Sequence, residues 1–459
     1  MILSPRDIFA DIDSRGIIIV AVSGGGDSVA LLLLANAWAQ ENDATLHAVT
    51  VDHGLRPEAA AEAAFVASLC ENLGVDHTTL GWEGIKPGSG LPEAARMARY
   101  ALMEEFALEI GADMIMVAHT ADDQAETVEM RLARDGASRL EAVFPPEAGE
   151  GRSSLGRGLA GMPRLSLLPE GTVLLRPLLD VTRGELRSYL AEFPQSWIED
   201  PTNHDTVYER VRVRRMLEAE PGLGRRLLRF SKAMEKARAV LSRDTAIALE
   251  ACVTLRPGPV FVVDLDALSA MPAPVCSHAM QILVAAAGGG EHLASRARID
   301  AIVSRLSSGQ AMRATLGGAV IERAGSGLRL FRELRNLKTL HLAPGETALW
   351  DGRMEITNAA RKPIHVGPLT RRELASLEDG SGRALAVRPR AALLTTAAVH
   401  VPGGGLILPL VEAEGEPDQV LVRLTAVAIE HFCAQSDFPI LDWLRSLEAR
   451  RQSCLLPRR

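Results

Sequence analysis

The chain has 459 residues, of which 47% are hydrophobic and 24% are charged, values that are ordinary for a globular protein with several cores. Its formal net charge of −8 argues against generic nucleic-acid binding, although net charge does not say where the basic residues lie. No run approaches the roughly 18 apolar residues of a membrane span. Residues 1–15 also lack the apolar core of a signal peptide, so we expect no membrane partner and a cytoplasmic location.

The cysteines predict neither a disulfide framework nor a structural zinc site. They are odd in number, whereas a disulfide framework uses cysteines in pairs, and they are widely spaced without the Cys-x-x-Cys pair that is typical of a structural zinc site. They are Cys70, Cys252, Cys276, Cys433 and Cys454.

In the first part of the chain, from residue 16 to about residue 129, short apolar runs alternate with longer helical patterns. The predicted strands are residues 17–22, 45–51, 75–80 and 114–118. The predicted helices are residues 28–40, 57–73, 92–110 and 122–133. This alternation is typical of an α/β domain with a doubly wound parallel sheet, in which ligands bind beyond the carboxyl ends of the strands.

The rest of the chain is less regular. A loop rich in glycine, serine and proline is predicted at 144–163, followed by a strand at 173–176 and a helix at 182–191. Residues 217–309 are mostly helical in pattern, and short β-like runs such as 328–331 and 405–408 follow. We predict three domains: the α/β domain at 1–216, a mainly helical domain at 217–312, and a small α+β or barrel-like domain at 313–459.

A dense glycine motif joins the first predicted strand to the first predicted helix. It consists of Ser23, Gly24, Gly25, Gly26, Asp27 and Ser28. Glycines let the backbone approach an anion, and the start of a helix offers free N–H groups under a positive dipole end. The pattern predicts a phosphate site, and a purely structural glycine turn is the alternative.

Both better-known phosphate motifs fail here. No lysine follows the glycines, as a Walker P-loop requires, and Val29 stands where a dinucleotide fingerprint needs its third glycine. A cradle with an aspartate instead of a lysine suits an enzyme that cleaves ATP between the α and β phosphates and releases pyrophosphate. Asp27 could then hold Mg²⁺, which prefers carboxylate and phosphate oxygens.

The motif also resembles that of a known superfamily. Residues 23–28 match the Ser-Gly-Gly-x-Asp-Ser motif of the PP-loop ATP pyrophosphatases, which have an adenine nucleotide alpha hydrolase-like fold. Further segments, in order along residues 16–216, resemble the tRNA(Ile)-lysidine synthetases. These segments are VDHGLR at 51–56, AR and RY at 95–100, AHTADDQAET at 118–127, GLAGM at 158–162, RPLL at 176–179 and EDPTN at 199–203.

The resemblance implies a carbon–nitrogen ligase with two steps. ATP adenylates the C2 oxygen of the wobble cytidine of a tRNA(Ile) with a CAU anticodon. The ε-amino group of free lysine then displaces AMP, which leaves lysidine. Residues 1–216 would form the ATP-binding catalytic domain and residues 217–312 a tRNA-binding domain, and the oligomeric state, a homodimer included, stays open.

The implied site residues fit this chemistry physically. Arg99 could balance charge at the α phosphate as pyrophosphate leaves. Asp123 and Glu126 are three residues apart on one helix, so both can grip an ammonium group, and they match the family's lysine-binding acids. Taken alone, these acids and Asp122 would rather complement a helix dipole.

Two histidines complete the predicted site. His119 ends the fourth predicted strand and is a candidate proton acceptor or phosphate contact, with a structural role as the alternative. Asp52 and His53 are predicted to border the adenosine or the magnesium ion, with turn capping as the alternative. The predicted ATP-binding residues are therefore Ser23 to Ser28 together with Asp52 and His53.

A basic surface that could bind tRNA is predicted, although the net charge of the chain is negative. One basic segment begins with Arg210, Arg212, Arg214 and Arg215 and continues to residue 238. A solvated helix face is the alternative. Arg131, Arg134, Arg139, Arg152 and Arg157 form a second basic stretch near the predicted loop.

Two segments depart from the family pattern. The family's Arg-Gly-Ser-Gly is Arg134-Asp135-Gly136-Ala137 here, and its Arg-Asn-x-x-Arg carries Val211 in place of asparagine.

A tRNA thiolase on the same scaffold is one rival prediction, although it usually needs paired cysteines. An ATP-dependent RNA-binding module is the other, although a binding module has no use for a lysine clamp.

Overall fold

The computed structural model describes residues 3–55, 58–84, 86–134, 157–193, 196–199, 209–324, 327–381, 389–401, 405–409, 420–430 and 433–455. Its contacts divide the chain into two compact units. The first unit is Met1–Arg238 with Ala434–Ser436, and the second is Ala239–Cys433 with Asp437–Arg459. Among the described residues, no helix is long and apolar enough to cross a membrane. The three predicted domains, with boundaries after residues 216 and 312, stay a prediction.

The first unit is built on a mainly parallel sheet. Its strands are β1 (Ile17–Ala21), β2 (Thr45–Asp52), β3 (Asp76–Gly81), β4 (Ala112–Met116), β5 (Leu165–Leu167) and β6 (Val173–Leu175). They lie in the order β5-β6-β4-β1-β2-β3, and a two-residue strand, Cys433–Ala434, extends the sheet beside β5. Only β5 runs antiparallel to its neighbour β6; β1 to β4 and β6 are parallel. The strand order switches between β1 and β4, because β2 and β3 follow on one side of β1 and β4 lies on its other side. Folds of this kind bind ligands at such a switch point.

Helices accompany this sheet. They are α1 (Pro5–Ile8), α2 (Gly26–Asn42), α3 (Ala59–Leu73), α4 (Leu91–Ile110), α5 (Ala121–Arg134), α6 (Arg183–Leu190), α7 (Glu209–Ala219) and α8 (Pro221–Cys252). The last of them, α8, continues from Ala239 into the second unit. A 3-10 turn, Arg157–Ala160, precedes β5. The central residues of β1, Ile18 to Val20, and residues Val29 to Ala35 of α2 are apolar and buried, because the sheet is covered on both faces.

The predicted elements of the first half are confirmed. Each predicted strand and helix there differs from an observed element by one or two residues at its ends. Most of the predicted loop at 144–163 lies outside the described residues, as do Arg139 and Arg152.

The second unit begins with a five-stranded antiparallel sheet. Its strands are β7 (Val253–Arg256), β8 (Val260–Asp264), β9 (Met312–Leu316), β10 (Ala319–Ala324) and β11 (Gly327–Arg332), and its helices are α9 (Leu265–Ser269), α10 (Ala273–Gly288) and α11 (Arg296–Ser307). The prediction of a mostly helical segment missed β7 and β8. They are four and five residues long, with the sequences VTLR and VFVVD, and runs this short carry too little periodicity to separate strand from helix.

Two smaller sheets follow, which confirms the predicted α+β character of the C-terminal part. One contains β12 (Leu340–Leu342), β15 (Ile364–Pro368), β16 (Ala397–Val401) and β17 (Gly405–Ile407). The other contains β13 (Thr347–Trp350), β14 (Met354–Asn358) and β18 (Val420–Leu424). The accompanying helices are α12 (Arg371–Ser381), α13 (Arg390–Leu393), α14 (Val427–Glu430) and α15 (Phe438–Leu455). Buried side chains such as Trp350 and Val366 join both sheets in one core.

Candidate active site

The glycine motif forms the turn between β1 and α2. Gly24 has a φ of +83°, Gly25 is the N-cap, and Gly26 is the first helical residue. Ser28 fixes the turn, because its Oγ accepts from the Ser23 N–H at 3.1 Å and donates to the Gly25 carbonyl at 2.9 Å. No side chain caps the helix, so its first N–H groups are available to an anion.

A short segment covers this turn. The Ile198 N–H donates to the Gly24 carbonyl at 2.9 Å, and Gly25 and Ile198 form an isolated parallel bridge. A Cβ added at Gly24 would lie 2.8 Å from Ile198 Cδ1, in a backbone conformation that side chains rarely adopt. Gly24 therefore has to be a glycine. The matched motif that starts here continues beyond Glu199 into residues outside the described part of the chain.

The site is a cavity of about 1270 Å³ at the carboxyl ends of β1 and β4. Most of the predicted site residues line it: Ser23, Gly25, Gly26, Asp27, Ser28, Arg99, His119, Asp123, Glu126, Arg210, Arg214 and Arg215. Its described lining does not include Gly24, Asp52, His53 or Arg212.

Asp52 and His53 lie just after β2. Asp52 Oδ1 accepts from the Gly54 N–H at 2.7 Å, which is the turn-capping role. His53 Nε2 lies 3.2 Å from Arg99 Nη2, and its ring packs edge-on against Trp82. The His53 ring thus positions the exposed Arg99 side chain, which does line the cavity.

His119 follows β4 in a buried position. Its Nδ1 is buried without a hydrogen-bond partner among the described residues. Burial and the nearby charge of Arg176 lower the pKa of His119 to about 3, so the ring is neutral near pH 7. A neutral imidazole with an open nitrogen can accept a hydrogen bond.

The first turn of α5 presents the two predicted lysine acids. The backbone N–H and hydroxyl of Thr120 both donate to Asp123 Oδ2, at 2.9 and 2.8 Å, and Thr120 Oγ1 accepts from the Asp123 N–H at 3.3 Å. This reciprocal cap is favoured at helix starts. It directs Asp123 Oδ1 toward the cavity, where Glu126 lies one turn later with a side chain that is 1% exposed.

Three arginines surround these acids in what we call the acid–arginine cluster (Asp27, Asp123, Glu126, Arg183, Arg210 and Arg214). Arg183 donates to Asp123 Oδ1 at 2.5 Å, to Glu126 Oε1 at 2.9 Å and to Asp27 Oδ2 at 3.3 Å. Arg210 donates to Glu126 Oε2 at 2.7 Å and to Asp123 Oδ1 at 2.8 Å. Arg214 donates to Glu126 Oε1 at 2.8 Å.

The three arginines keep Asp123 and Glu126, the predicted lysine-binding acids, ionised. Burial alone would raise the pKa of Asp123, but the charges of Arg183 and Arg210 hold it below its ordinary value. Burial likewise opposes ionisation of Glu126, but Arg183 and the Arg214 hydrogen bond lower its pKa. Both carboxylates are therefore negative at neutral pH, as an ammonium site requires.

The pKa of Asp27 is shifted in the opposite direction to those of Asp123 and Glu126. Burial raises its pKa, and Arg183 offsets this only in part. Among the described residues, no group of three or more His, Cys, Asp or Glu side chains could form a metal cage. One carboxylate beside a phosphate cradle nevertheless fits Mg²⁺, which is usually bound through one or two carboxylates plus substrate phosphates.

Sequence reasoning missed Arg183. It is the first residue of α6, after the capping box formed by Thr182 and Glu185, and its backbone N–H also donates to Asp122 at 2.7 Å. The Thr-x-x-Glu pattern predicts the start of this helix. Nothing in the pattern indicates that the next side chain turns toward α5, because that contact depends on tertiary structure.

Sequence reasoning also missed Gln124. Its amide donates to the Met162 carbonyl at 2.9 Å and accepts from the Met162 N–H at 2.7 Å. Gly161 has a φ of +71°, and a Cβ there would lie 2.6 Å from the Gln124 amide. The Arg131 guanidinium group donates a hydrogen bond to the Gly161 carbonyl at 3.0 Å. The GLAGM segment thus docks on α5.

The first basic segment divides between two environments. Arg210 and Arg214 point toward the acids, whereas Arg212 and Arg215 are exposed on α7. Val211, which replaces the family's asparagine, is buried. On α8, Leu227 and Phe230 pack against α5, and the side chains of Arg225, Arg229, Lys232 and Lys236 are exposed.

Comparisons relate the whole chain to known proteins. A family model described as the PP-loop domain matches residues 6–220. The chain is 35% identical to a tRNA(Ile)-lysidine synthase of Brucella ovis, over 98% of each chain. It is 37% identical to that of Brucella anthropi, over 94% of this chain and 93% of the relative. A solved U34-tRNA thiolase from Methanococcus maripaludis is 16% identical with a TM-score of 0.38, and the match covers 50% of this chain and 77% of the thiolase chain. On the near full-length identity and the PP-loop match, the chain belongs to the tRNA(Ile)-lysidine synthase family.

Proposed function

We propose that this protein is an ATP-dependent ligase that joins lysine to C2 of the wobble cytidine of a tRNA(Ile) with a CAU anticodon. The products would be lysidine, AMP and pyrophosphate. The observation that carries the proposal is the common cavity: the glycine turn and the acids Asp123 and Glu126 line the same space. An anion cradle and an ammonium site side by side suit a reaction that consumes ATP and an amine.

The first step is adenylation. The C2 oxygen of cytidine attacks the α phosphorus of ATP, and the bond to pyrophosphate breaks. The N–H groups at the start of α2 would hold the departing pyrophosphate, and Arg99 would balance the charge that develops at the α phosphate. Asp27 would hold Mg²⁺, which neutralises phosphate charge when it is bound.

The second step is displacement by lysine. The ε-ammonium group first gives up one proton, its nitrogen attacks C2, the C2–O bond breaks, AMP leaves, and the nitrogen then releases a second proton. Asp123 and Glu126 would hold the ammonium group before the attack. His119 is neutral and could accept a proton, since phosphate charge beside it would raise its pKa from the low value of the free site.

The tRNA would be held by basic side chains on two helices of the first unit. Arg212 and Arg215 on α7 and the exposed basic residues of α8 are suited to phosphate contacts. The homodimer and the cytoplasmic location stay predictions.

The thiolase alternative has less support. The described thiols of Cys70, Cys252, Cys276 and Cys433 are buried, and none of them lines the cavity. Burial raises the pKa of Cys70 to about 11, which suppresses the reactive thiolate.

The test is incubation of the protein with ATP, radiolabelled lysine and a tRNA(Ile) transcript with a CAU anticodon. We expect label in the tRNA and lysine-dependent AMP release. Asp123→Asn should abolish lysine transfer but leave tRNA adenylation detectable, because its side chain contacts the amine site rather than the glycine turn. ATP binding without any label in the tRNA would refute the proposal, and loss of ATP binding in Asp123→Asn would refute the role of this acid.

A further inference from the structure

The acid–arginine cluster fills nearly all acceptor positions of Asp123 and Glu126. Asp123 Oδ2 accepts two bonds from Thr120, and Oδ1 accepts from Arg183 and Arg210. Glu126 Oε1 accepts from Arg183 and Arg214, and Oε2 accepts one bond, from Arg210. Because both oxygens of Asp123 already accept two bonds each, an ammonium group that binds both acids has to displace at least one guanidinium group.

The three arginines differ in how firmly they are held. Arg183 contacts three acids with its side chain, which is 19% exposed, and its backbone N–H is bonded to Asp122. Arg210 contacts two acids with a side chain that is 40% exposed, and Arg214 contacts one acid, Glu126; both lie within the first six residues of α7. The two residues on α7 are therefore the donors that can leave.

Charge balance also requires that an arginine leave. The three arginines of the cluster face three acids, Asp27, Asp123 and Glu126. A lysine ammonium group would add a fourth positive charge, and like charges in a partly buried site repel strongly. Departure of an arginine of α7 removes this excess charge.

A tRNA supplies a destination for the two arginines. Guanidinium groups bind phosphate oxygens in bidentate geometry, with strength comparable to their carboxylate pairs. Arg212 and Arg215 are exposed on the same helix and would bring the phosphate backbone to α7.

We propose that Arg210 and Arg214 make lysine binding depend on tRNA: without tRNA they occupy Asp123 and Glu126, and bound tRNA phosphates draw them away so that lysine can enter. This inference rests on the proposed function. The contacts of Arg210 and Arg214 with the acids would prevent lysine from filling the site before the cytidine is present. By thermodynamic linkage, lysine must raise the affinity for tRNA by the same factor as tRNA raises the affinity for lysine.

The experiment measures lysine affinity by equilibrium dialysis with radiolabelled lysine, without ATP, in the presence and absence of the tRNA(Ile) transcript. For the wild-type chain we expect tRNA to raise the affinity at least about tenfold, within the usual range of coupling between sites. The double variant Arg210→Ala/Arg214→Ala should bind lysine without tRNA at least about tenfold more tightly than the wild type. The control Arg372→Ala removes one exposed arginine on α12, which does not line the cavity, and should keep the wild-type lysine affinity without tRNA.

Equal lysine affinity of the wild type with and without tRNA would overturn the inference, as would a folded double variant that binds lysine no more tightly than the wild type. The reciprocal measurement, tRNA affinity with and without lysine, uses only the wild-type chain and remains decisive if the double variant does not fold. Label incorporation with unchanged affinities refutes this inference alone, whereas absence of incorporation refutes the proposed function.

Discussion

Arg183 Nη2 donates to Asp123 Oδ1 across 2.5 Å and thereby joins the first turn of α6 to the first turn of α5. The same guanidinium reaches Asp27 in the glycine turn and Glu126 on α5. One side chain thus links the proposed ATP half of the cavity to the proposed lysine half.

Replacing Arg183 by lysine should impair lysine use more than ATP use. An ammonium group is a point charge and cannot reproduce the planar fork that spans three carboxylates. Loss of a charge-assisted hydrogen bond of about 1.5–3 kcal/mol should raise the KM for lysine roughly 10- to 100-fold. The Asp27 contact is the longest of the three, so the KM for ATP should change less.

Steady-state kinetics with each substrate varied in turn measures this split. Arg372→Lys makes the same change at an exposed residue of α12 that does not line the cavity, and serves as the control. A larger effect of Arg183→Lys on ATP than on lysine would contradict the expected role.

His119 should make stability depend on pH. Its pKa is lowered to about 3 in the folded chain, so between about pH 3 and 6.5 the unfolded chain binds more protons than the folded one. Stability therefore rises with pH across this window. From pH 6.5 to pH 5 the free energy of unfolding should fall by up to about 2 kcal/mol through this residue.

Urea unfolding at both pH values, compared between the wild type and His119→Asn, isolates this contribution. The asparagine does not titrate, so the variant should lose less stability on acidification. Identical pH dependence in both proteins would show that His119 is not held neutral by its surroundings.

Gly24→Ala should weaken ATP binding. The substitution adds a Cβ at a φ of +83° and 2.8 Å from Ile198 Cδ1, and the positive φ alone disfavours an L-residue by roughly 1–2 kcal/mol. We expect the turn to shift and the ATP affinity, measured by calorimetry, to fall about tenfold or more.

A second substitution separates the two causes of that loss. Ile198→Ala removes the clash but leaves the backbone strain, so the double variant should recover only part of the affinity. Full recovery would mean that the backbone conformation of Gly24 does not matter.

Gln124→Leu should impair turnover but preserve ATP binding. The leucine cannot pair with Met162, whose buried N–H and carbonyl would each lose a partner, at about 1–3 kcal/mol per unpaired group. The GLAGM segment should then detach from α5. Single-turnover lysine transfer should slow, whereas calorimetry should give an unchanged ATP affinity; a matched loss of ATP affinity would assign Gln124 to the nucleotide site.

The alternation of apolar runs and helical patterns predicted the sheet of the first unit, because a fully covered parallel sheet leaves a strong signal in the chain. The glycine motif and the acids at Asp123 and Glu126 were likewise visible, since their spacing follows helix geometry. Arg183 was not, because the side chain reaches the acids only through the packing of α6 beside α5. Arg210 and Arg214 were predicted to bind tRNA, and their pairing with the acids depends on a contact between α5 and α7 that no local pattern indicates.

The docking of Met162 on Gln124 is one of several contacts that tie α5 to the rest of the first unit. The Arg183 N–H donates to Asp122 at the start of the helix, and Arg134 pairs with Glu209 at 3.0 Å at its end. Between these points, Gln124 and Arg131 hold Met162 and Gly161. The helix that carries Asp123 and Glu126 is therefore held along its whole length, so the spacing between the two carboxylates is set before any ligand binds.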